Sequence, residues 1–313
     1  MQPIADALRE HYSKVFDVVT PDTEGREDDG LLHPSSLPFC PLRTVYSNAM
    51  NPERTTDFLR QYYTRVGHVI HELVQFYLGK VLQGEKKFQV LGKWYCRKCD
   101  SESNLVKSAP CPKCGSDREY VEIRLYFKEF MTGATDCILR VKTKSGIKYF
   151  ILDYKTAGYL PVDQHRRGNK RFPYKTNKMQ IEAYTVMAEE TLGITISGWV
   201  LFYITRDNPQ KHFAISLESI SEEKKARIRR RLERYKGKWE SYRRALKAIE
   251  MYDEEGEDGG LSIALNLARK NKLCPHREFY DKHVHAPYDP CPLHQSCFDR
   301  EAFDQQLTED LEL

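Results

Sequence analysis

The stretch KYFILDYK at residues 148–155 joins a run of apolar and aromatic residues to an aspartate and a lysine. A run of this kind is typical of a strand that is buried on both faces of a sheet. Because side chains alternate along a strand, Ile151, Asp153 and Lys155 are expected on one face. The pattern therefore predicts a central strand that presents a carboxylate beside an ammonium group.

Helix and strand patterns on both sides of this stretch predict an α/β fold. Apolar residues that recur every three or four positions indicate amphipathic helices, and alternating or continuous apolar runs indicate strands. In chain order the predicted elements are a helix at 52–82, strands at 120–127, 133–143 and 148–155, a helix at 178–192, a strand at 198–205 and a long charged helix at 218–251.

The composition favours a protein that works in water. The chain has 313 residues, of which 40% are hydrophobic and 30% charged, and its mean hydropathy is -0.64. No apolar run approaches the roughly 20 residues that a transmembrane helix needs, and the N-terminal residues lack the apolar centre of a signal peptide. We therefore expect a cytoplasmic protein, in a bacterium or a virus-infected cell, with no membrane partner.

Basic residues are concentrated in two stretches, although the net charge is only +4. Residues 163–178 and 224–247 are rich in lysine and arginine and also contain aromatic residues. Such stretches suit a surface that follows phosphates and stacks on bases. A solvated helix face explains either stretch equally well.

Nine cysteines in a chain without an export signal favour metal binding over disulfides. Two Cys-x-x-Cys motifs have eleven residues between them, and their cysteines are Cys96, Cys99, Cys111 and Cys114. This spacing predicts a tetrahedral zinc site in a ribbon that folds around its ion. Because the four ligands are close in sequence, we expect loss of zinc to unfold little outside residues 93–120.

A second carboxylate precedes the strand at residues 148–155. Asp136 lies in Gly-Ala-Thr-Asp at residues 133–136, so Asp136 and Asp153 are expected on neighbouring strands of a hairpin. Two such carboxylates form a hard-oxygen site for Mg²⁺ or Mn²⁺, which can activate water, while Lys155 orients that water or holds a phosphate oxygen. An aspartate and a lysine on a strand can equally be structural, so the interpretation depends on neighbouring motifs.

Four segments follow one another in a particular order. They are Gly-His-Val-Ile-His at 67–71, Gly-Ala-Thr-Asp at 133–136, Asp-Tyr-Lys at 153–155 and Gln-Ile-Glu-Ala-Tyr at 180–184. This order resembles the RecB-like branch of the PD-(D/E)XK nucleases, including the CRISPR-adaptation nucleases and the AddB-type iron-sulfur nucleases. The resemblance covers about residues 33–298, of which residues 93–120 and 218–270 match poorly. It implies a restriction-endonuclease-like core, in which helices flank a central mixed sheet, with an inserted zinc ribbon and a C-terminal iron-sulfur clasp.

The resemblance implies a role for each motif residue. The implied ligands of the catalytic ion are His71, Asp136, Asp153 and the backbone carbonyl of Tyr154. Lys155 would be the catalytic lysine, and Gln180 and Tyr184, one helical turn apart, would steady the site or the DNA backbone. A zinc-protease interpretation of His68 and His71 fails, because that motif requires a glutamate directly after its first histidine.

The resemblance also implies a 4Fe-4S cluster, held by one cysteine before the first helix and three near the C-terminus. The matching residues are Cys40, Cys274, Cys291 and Cys297. The family separates the first two of the C-terminal three by two residues, whereas sixteen lie between Cys274 and Cys291 here. A zinc site that uses His276, His283, His285 or His294 is the alternative.

These motifs together predict a divalent-metal-dependent DNA nuclease, an exonuclease on single-stranded or resected ends in replication, recombination or repair. The chain has no Gly-x-x-x-x-Gly-Lys-Ser/Thr loop, so a helicase motor, if used, would be a separate partner. A recombination or replication protein is the other partner considered. A non-catalytic zinc-ribbon module that binds nucleic acid and an RNA-directed nuclease are the alternatives. The predicted segments are an N-terminal loop and first core helix at 1–92, the ribbon at 93–120, core strands and helix at 121–217, a charged helix and acidic linker at 218–260, and a cysteine clasp with an acidic tail at 261–313.

Overall fold

The computed structural model describes residues 31–37, 41, 45, 65–75, 87–159, 162–163, 167–168, 173–206 and 213–250, with side chains to residue 244. The chain divides into two compact units. The first contains residues 1–34 and 53–229, and the second contains residues 35–52 and 230–313. In the second unit, the Tyr235 hydroxyl donates a hydrogen bond to the Ser36 carbonyl at 3.1 Å.

Ten strands are described in the first unit. They are β1 (Phe88–Cys96), β2 (Ser101–Glu102), β3 (Val106–Lys107), β4 (Glu119–Val121), β5 (Ile123–Phe127), β6 (Met131–Thr135), β7 (Cys137–Thr143), β8 (Gly146–Ala157), β9 (Ile196–Thr205) and β10 (Phe213–Ser219). Eight of them form a mixed sheet in the order β10-β9-β8-β7-β1-β2, with β3 and β4 also paired to β1. Strands β5 and β6 form a separate antiparallel pair.

Helical segments lie before, between and after the strands in chain order. They are a short 3-10 helix at Pro34–Ser36, α1 described over residues 65–75, α2 at Lys175–Leu192 and α3 at Glu222–Glu250. Helix α2 connects β8 to β9, which are parallel and so require a crossover. It ends at Gly193, whose positive φ of 65° lets its N–H donate to the Glu189 carbonyl. Within the described residues, none of the helices has the length and apolar character needed to cross a membrane.

The fold confirms the α/β prediction and the hairpin that carries the D-x-K motif. Strands β7 and β8 pair antiparallel through the turn at residues 144–145. The prediction of one strand at 133–143 was wrong, because the chain leaves the strand at Asp136 and divides it into β6 and β7. Strand β6 then pairs with β5 instead of joining the main sheet.

Strand β1 was not predicted, and it joins the core to the cysteine motifs. Its first half pairs with β7, and its second half pairs with β2, β3 and β4. The strand therefore runs across residue 93, where the sequence suggested the start of an inserted module. Its buried positions alternate and include Val90, Trp94 and Cys96, which is the period of a strand with one face in the core.

Candidate active site

The paired aspartates come together through the β7–β8 hairpin. Cys137 is opposite Leu152 in the antiparallel register, which places Asp136, just before β7, next to Asp153. On β8 the two-residue period puts Asp153 and Lys155 on one face, and Lys155 Nζ lies 2.8 Å from Asp153 Oδ2. The predicted juxtaposition of two carboxylates and an ammonium group is present.

Helix α1 brings His71 to the same hairpin. At Gly67 the helix approaches β8 so closely that a Cβ would lie 2.9 Å from the Thr156 hydroxyl oxygen. One turn later, His71 Nε2 donates a hydrogen bond of 2.7 Å to the Tyr154 carbonyl. Two further helix residues, Ile70 and Val74, pack against the core cluster that contains Tyr154. Glycine at position 67 therefore permits the close approach that places the histidine.

The geometry of His71 and Asp136 leaves room for a cation between them. Asp136 Oδ2 accepts the Tyr154 backbone N–H at 2.5 Å, while Asp136 Oδ1 lies 3.7 Å from His71 Nδ1. Because Nε2 carries the proton that it donates, Nδ1 of neutral His71 presents a lone pair to a carboxylate oxygen. Burial and the nearby Lys155 lower the pKa of His71, which favours that neutral form. A metal ion would accept electron pairs from both atoms.

The two carboxylates are also poorly neutralised. The exposed fraction is 7% for Asp136 and 3% for Asp153. Burial and the adjacent charge of Asp153 raise the pKa of Asp136 well above its usual range, although Lys155 opposes this. Asp153 Oδ2 is buried and lies 2.8 Å from Lys155 Nζ. Because Lys155 also interacts with Asp136, one ammonium group is shared by two buried carboxylates. Uncompensated charge of this kind fits a divalent cation.

Lys155 is a cation at neutral pH in this environment. Burial acts to lower its pKa, but the carboxylates of Asp153 and Asp136 outweigh burial, so that the pKa of Lys155 is raised. Its ammonium group can therefore donate hydrogen bonds and stabilise negative charge, whereas it cannot act as a base near neutrality.

Gln180 and Tyr184 lie on α2 at the edge of this site. Gln180 Nε2 donates to the Tyr184 hydroxyl at 3.3 Å. Burial and the charge of Asp153 raise the pKa of Tyr184, so its hydroxyl stays protonated. The Tyr184 ring packs against Gly133 of β6, where a Cβ would lie 3.0 Å from the ring. The structure thus brings Tyr184 toward the carboxylates, and Gln180 contacts Tyr184.

Two site neighbours were missed or left without a role by the sequence patterns. The Tyr120 hydroxyl donates to the backbone carbonyl of Asp136 in a short hydrogen bond. Glu122 accepts a hydrogen bond of 3.0 Å from Gln75 of α1. Neither residue belongs to a motif, and both reach the site through the path of the chain after the cysteines.

The four cysteines of the two Cys-x-x-Cys motifs form a compact group, as predicted. The Sγ atoms of Cys96 and Cys114 are 3.6 Å apart and those of Cys111 and Cys99 are 3.9 Å apart. All four sulfurs lie within 4.8 Å of one another. Tetrahedral zinc with bonds of about 2.3 Å requires sulfur separations of about 3.8 Å. The group could hold a metal ion such as zinc, or an iron-sulfur cluster.

Hydrogen bonds distribute charge unevenly among these thiols. Contacts with Ser116 lower the pKa of Cys114 to about 6, whereas hydrogen bonds from Cys114 and its neighbours raise the pKa of Cys99 to about 12. One thiolate thus disfavours the next, and a cation would relieve this competition. Among the described residues, the compact ligand set is this one, since His71, Asp136 and Asp153 do not converge so closely.

The second predicted cysteine group lies outside the described residues. Its members are Cys40, Cys274, Cys291 and Cys297. The iron-sulfur cluster therefore stays a prediction.

No protein-family model and no curated protein matches this sequence. Among solved structures, the crystal structure of SSO0001 is similar at 17% sequence identity, with a TM-score of 0.33, over 74% of this chain and 82% of that chain. A TM-score this low does not establish a common fold.

Proposed function

We propose that the chain is a divalent-metal-dependent DNA nuclease of the RecB-like PD-(D/E)XK type. The observation that carries the proposal is the meeting of His71, Asp136, Asp153 and Lys155 at one end of the β7–β8 hairpin, with both carboxylates buried. His71 and Asp136 each come from a motif of their own, and Asp153 and Lys155 share a third motif. A structural ion pair would require one carboxylate for Lys155, whereas here two are buried beside it.

Different side chains would carry out different parts of phosphodiester hydrolysis. Mg²⁺ or Mn²⁺, when bound, would lower the pKa of a water and offset negative charge on the scissile phosphate. Asp136 Oδ1, His71 Nδ1 and a carboxylate oxygen of Asp153 would hold the ion. The Tyr154 carbonyl, which accepts the His71 Nε2–H, would orient the histidine. The charged Lys155 ammonium would orient the attacking water or hold a phosphate oxygen.

The proposed substrate is DNA with single-stranded or resected ends, and the proposed action is exonucleolytic. The excess of lysine and arginine at residues 224–247, within α3, supports a phosphate-binding role. A separate helicase or a recombination or replication protein would supply such ends. Cleavage of RNA by the same groups is the alternative outcome.

A substrate panel tests this function. We expect Mg²⁺ or Mn²⁺ to support cleavage of end-labelled linear single-stranded DNA, and chelation to stop it, because the carboxylates act through the ion. Circular single-stranded DNA should resist, since an exonuclease needs an end. Protein that cleaved none of these DNAs with either ion would contradict the proposal, and protein that cleaved only RNA would favour the RNA-directed alternative.

For the cysteine centres, we propose zinc in the ribbon and a 4Fe-4S cluster in the second group. Protein purified without oxygen is expected to contain one zinc and about four irons per chain. Cys114→Ser should remove the zinc and keep the iron, because the ribbon ligands lie apart from the second group in sequence. Cys291→Ser should do the reverse. Cys137→Ala, a buried cysteine outside both groups, is the control and should keep both metals.

Metal analysis of these variants also separates the alternatives. Iron that followed Cys114 would place the iron-sulfur cluster in the ribbon. Two zincs and no iron in anaerobic protein would favour a zinc site that uses the C-terminal histidines.

A further inference from the structure

Tyr120 connects the cysteine ribbon to the paired carboxylates. It lies on β4, six residues after Cys114. Strand β4 pairs with β1, and Tyr120 is directly opposite Trp94 in that register. At its other end, the Tyr120 hydroxyl donates to the backbone carbonyl of Asp136. One side chain therefore spans from the sheet that holds Cys96 to the backbone of a carboxylate residue.

The Tyr120 ring is fixed on two sides. It packs edge to face with Trp94, with ring centroids 5.3 Å apart at 80°. Trp94 is itself held by a hydrogen bond of 3.0 Å from its Nε1 to the Val106 carbonyl. On the other side the ring lies against Gly92 of β1, where there is no space for a Cβ. The hydroxyl has little freedom to leave the Asp136 carbonyl.

The Tyr120 hydroxyl donates to the Asp136 carbonyl from a ring that is packed on both faces. Asp136 lies at the break between β6 and β7, outside the paired registers of both strands, so a contact from Tyr120 can help to fix its position. Its carboxylate is held at Oδ2 by the Tyr154 N–H. The two contacts together determine where Oδ1 points.

We propose that Tyr120 is a positioning residue for Asp136, and that through Tyr120 the cysteine ribbon supports the metal site of the hairpin. The inference rests on the proposed nuclease function for its kinetic consequence, while its structural consequence is a change in Mn²⁺ affinity. Residues that orient metal ligands typically change metal affinity or activity by about ten-fold or more when they are removed.

Tyr120→Phe tests the positioning role, because it removes the hydroxyl and keeps the ring on Gly92 and Trp94. Mn²⁺ affinity, measured by the electron paramagnetic resonance of free Mn²⁺, is expected to fall about ten-fold, and kcat by a similar factor, with KM for DNA unchanged. Zinc content and the thermal midpoint should stay near wild type. Tyr95→Phe is the matched control, because its hydroxyl bonds the exposed Asp100 within the ribbon.

The route through the ribbon is tested by Cys114→Ser alone and combined with Tyr120→Phe. If the ribbon acts through Tyr120, Cys114→Ser lowers Mn²⁺ affinity and the double variant is no weaker than Cys114→Ser. If the two substitutions lowered Mn²⁺ affinity by independent factors that multiply in the double variant, the route through Tyr120 would be contradicted. Unchanged Mn²⁺ affinity in Tyr120→Phe, or no Mn²⁺ binding by wild type, would overturn the positioning role. Weakened Mn²⁺ binding in a protein that cleaves no nucleic acid would support positioning and contradict only the nuclease function.

Discussion

Replacing Asp153 by asparagine is expected to reduce metal-dependent DNA cleavage about a thousand-fold while the protein stays folded. Asp153 is 3% exposed, and it shares the single ammonium group of Lys155 with Asp136, so its carboxylate retains negative charge for an ion. Asparagine keeps the shape of the side chain and loses the charge. Single-turnover cleavage of linear single-stranded DNA with saturating Mg²⁺ measures the loss, and circular dichroism checks the fold.

Asp136→Asn provides the internal control for this experiment, because it should lose activity and gain stability. The raised pKa of Asp136 means that its ionisation opposes folding. That cost is fully present above the raised pKa and disappears as the pH falls below the ordinary value of about 3.9. Metal-free Asp136→Asn should therefore have a higher thermal midpoint than wild type at neutral pH. Full cleavage by either variant in chelator-stripped protein resupplied with Mg²⁺ would reject the site.

The hairpin and its chemistry could be predicted from the sequence because both depend on local periods. The two-residue strand period placed Asp153 beside Lys155, and an ion pair of 2.8 Å joins them. The cysteine group could be predicted for the same reason, since each Cys-x-x-Cys motif brings its own two ligands together. The role of His71 could be predicted only from the family resemblance, because a histidine on a helix does not indicate which strand it contacts.

Other features could not be predicted, because their patterns are ambiguous or their contacts are distant in sequence. On β10 the small Ala214 and Ser216 are buried, whereas Phe213, Ile215 and Leu217 are exposed. The large apolar residues of β10 therefore alternate on its exposed face and not on its buried face, and the strand was not predicted. The break at Asp136 was not predicted, although aspartate is disfavoured in strands, because the residues that follow it continue a strand pattern. Tyr120 reaches Asp136 only through the pairing of β4 with β1.

Strand β1 also changes what the ribbon is expected to do. From spacing, a zinc ribbon closes locally and its loss should affect little else. In the structure, one continuous strand pairs with β7 at Val90 and carries Cys96 at its end. A change at the cysteines can therefore reach the central sheet along β1 and through the Tyr120 ring.

Replacing Lys155 by alanine is expected to lower the cleavage rate about a hundred-fold and to leave DNA affinity nearly unchanged. The ammonium group lies 2.8 Å from Asp153, and its raised pKa keeps it charged at neutral pH. It therefore acts by stabilising charge or orienting water in the transition state and not by removing a proton. DNA affinity is measured with Ca²⁺ in place of Mg²⁺, and the rate in single turnovers with Mg²⁺.

A measurement of Mn²⁺ affinity distinguishes the proposed role of Lys155 in the transition state from simple neutralisation of the two aspartates. Because Lys155→Ala removes a positive charge beside two carboxylates, Mn²⁺ should bind as tightly as in wild type or more tightly, even as the rate falls. Lys93→Ala is the matched control, since Lys93 also pairs with a carboxylate, that of Glu102 at 3.2 Å, and lies on a strand outside both basic stretches. It should keep the full rate. A loss of DNA affinity in proportion to the lost rate would make Lys155 a phosphate contact, with no separate part in catalysis.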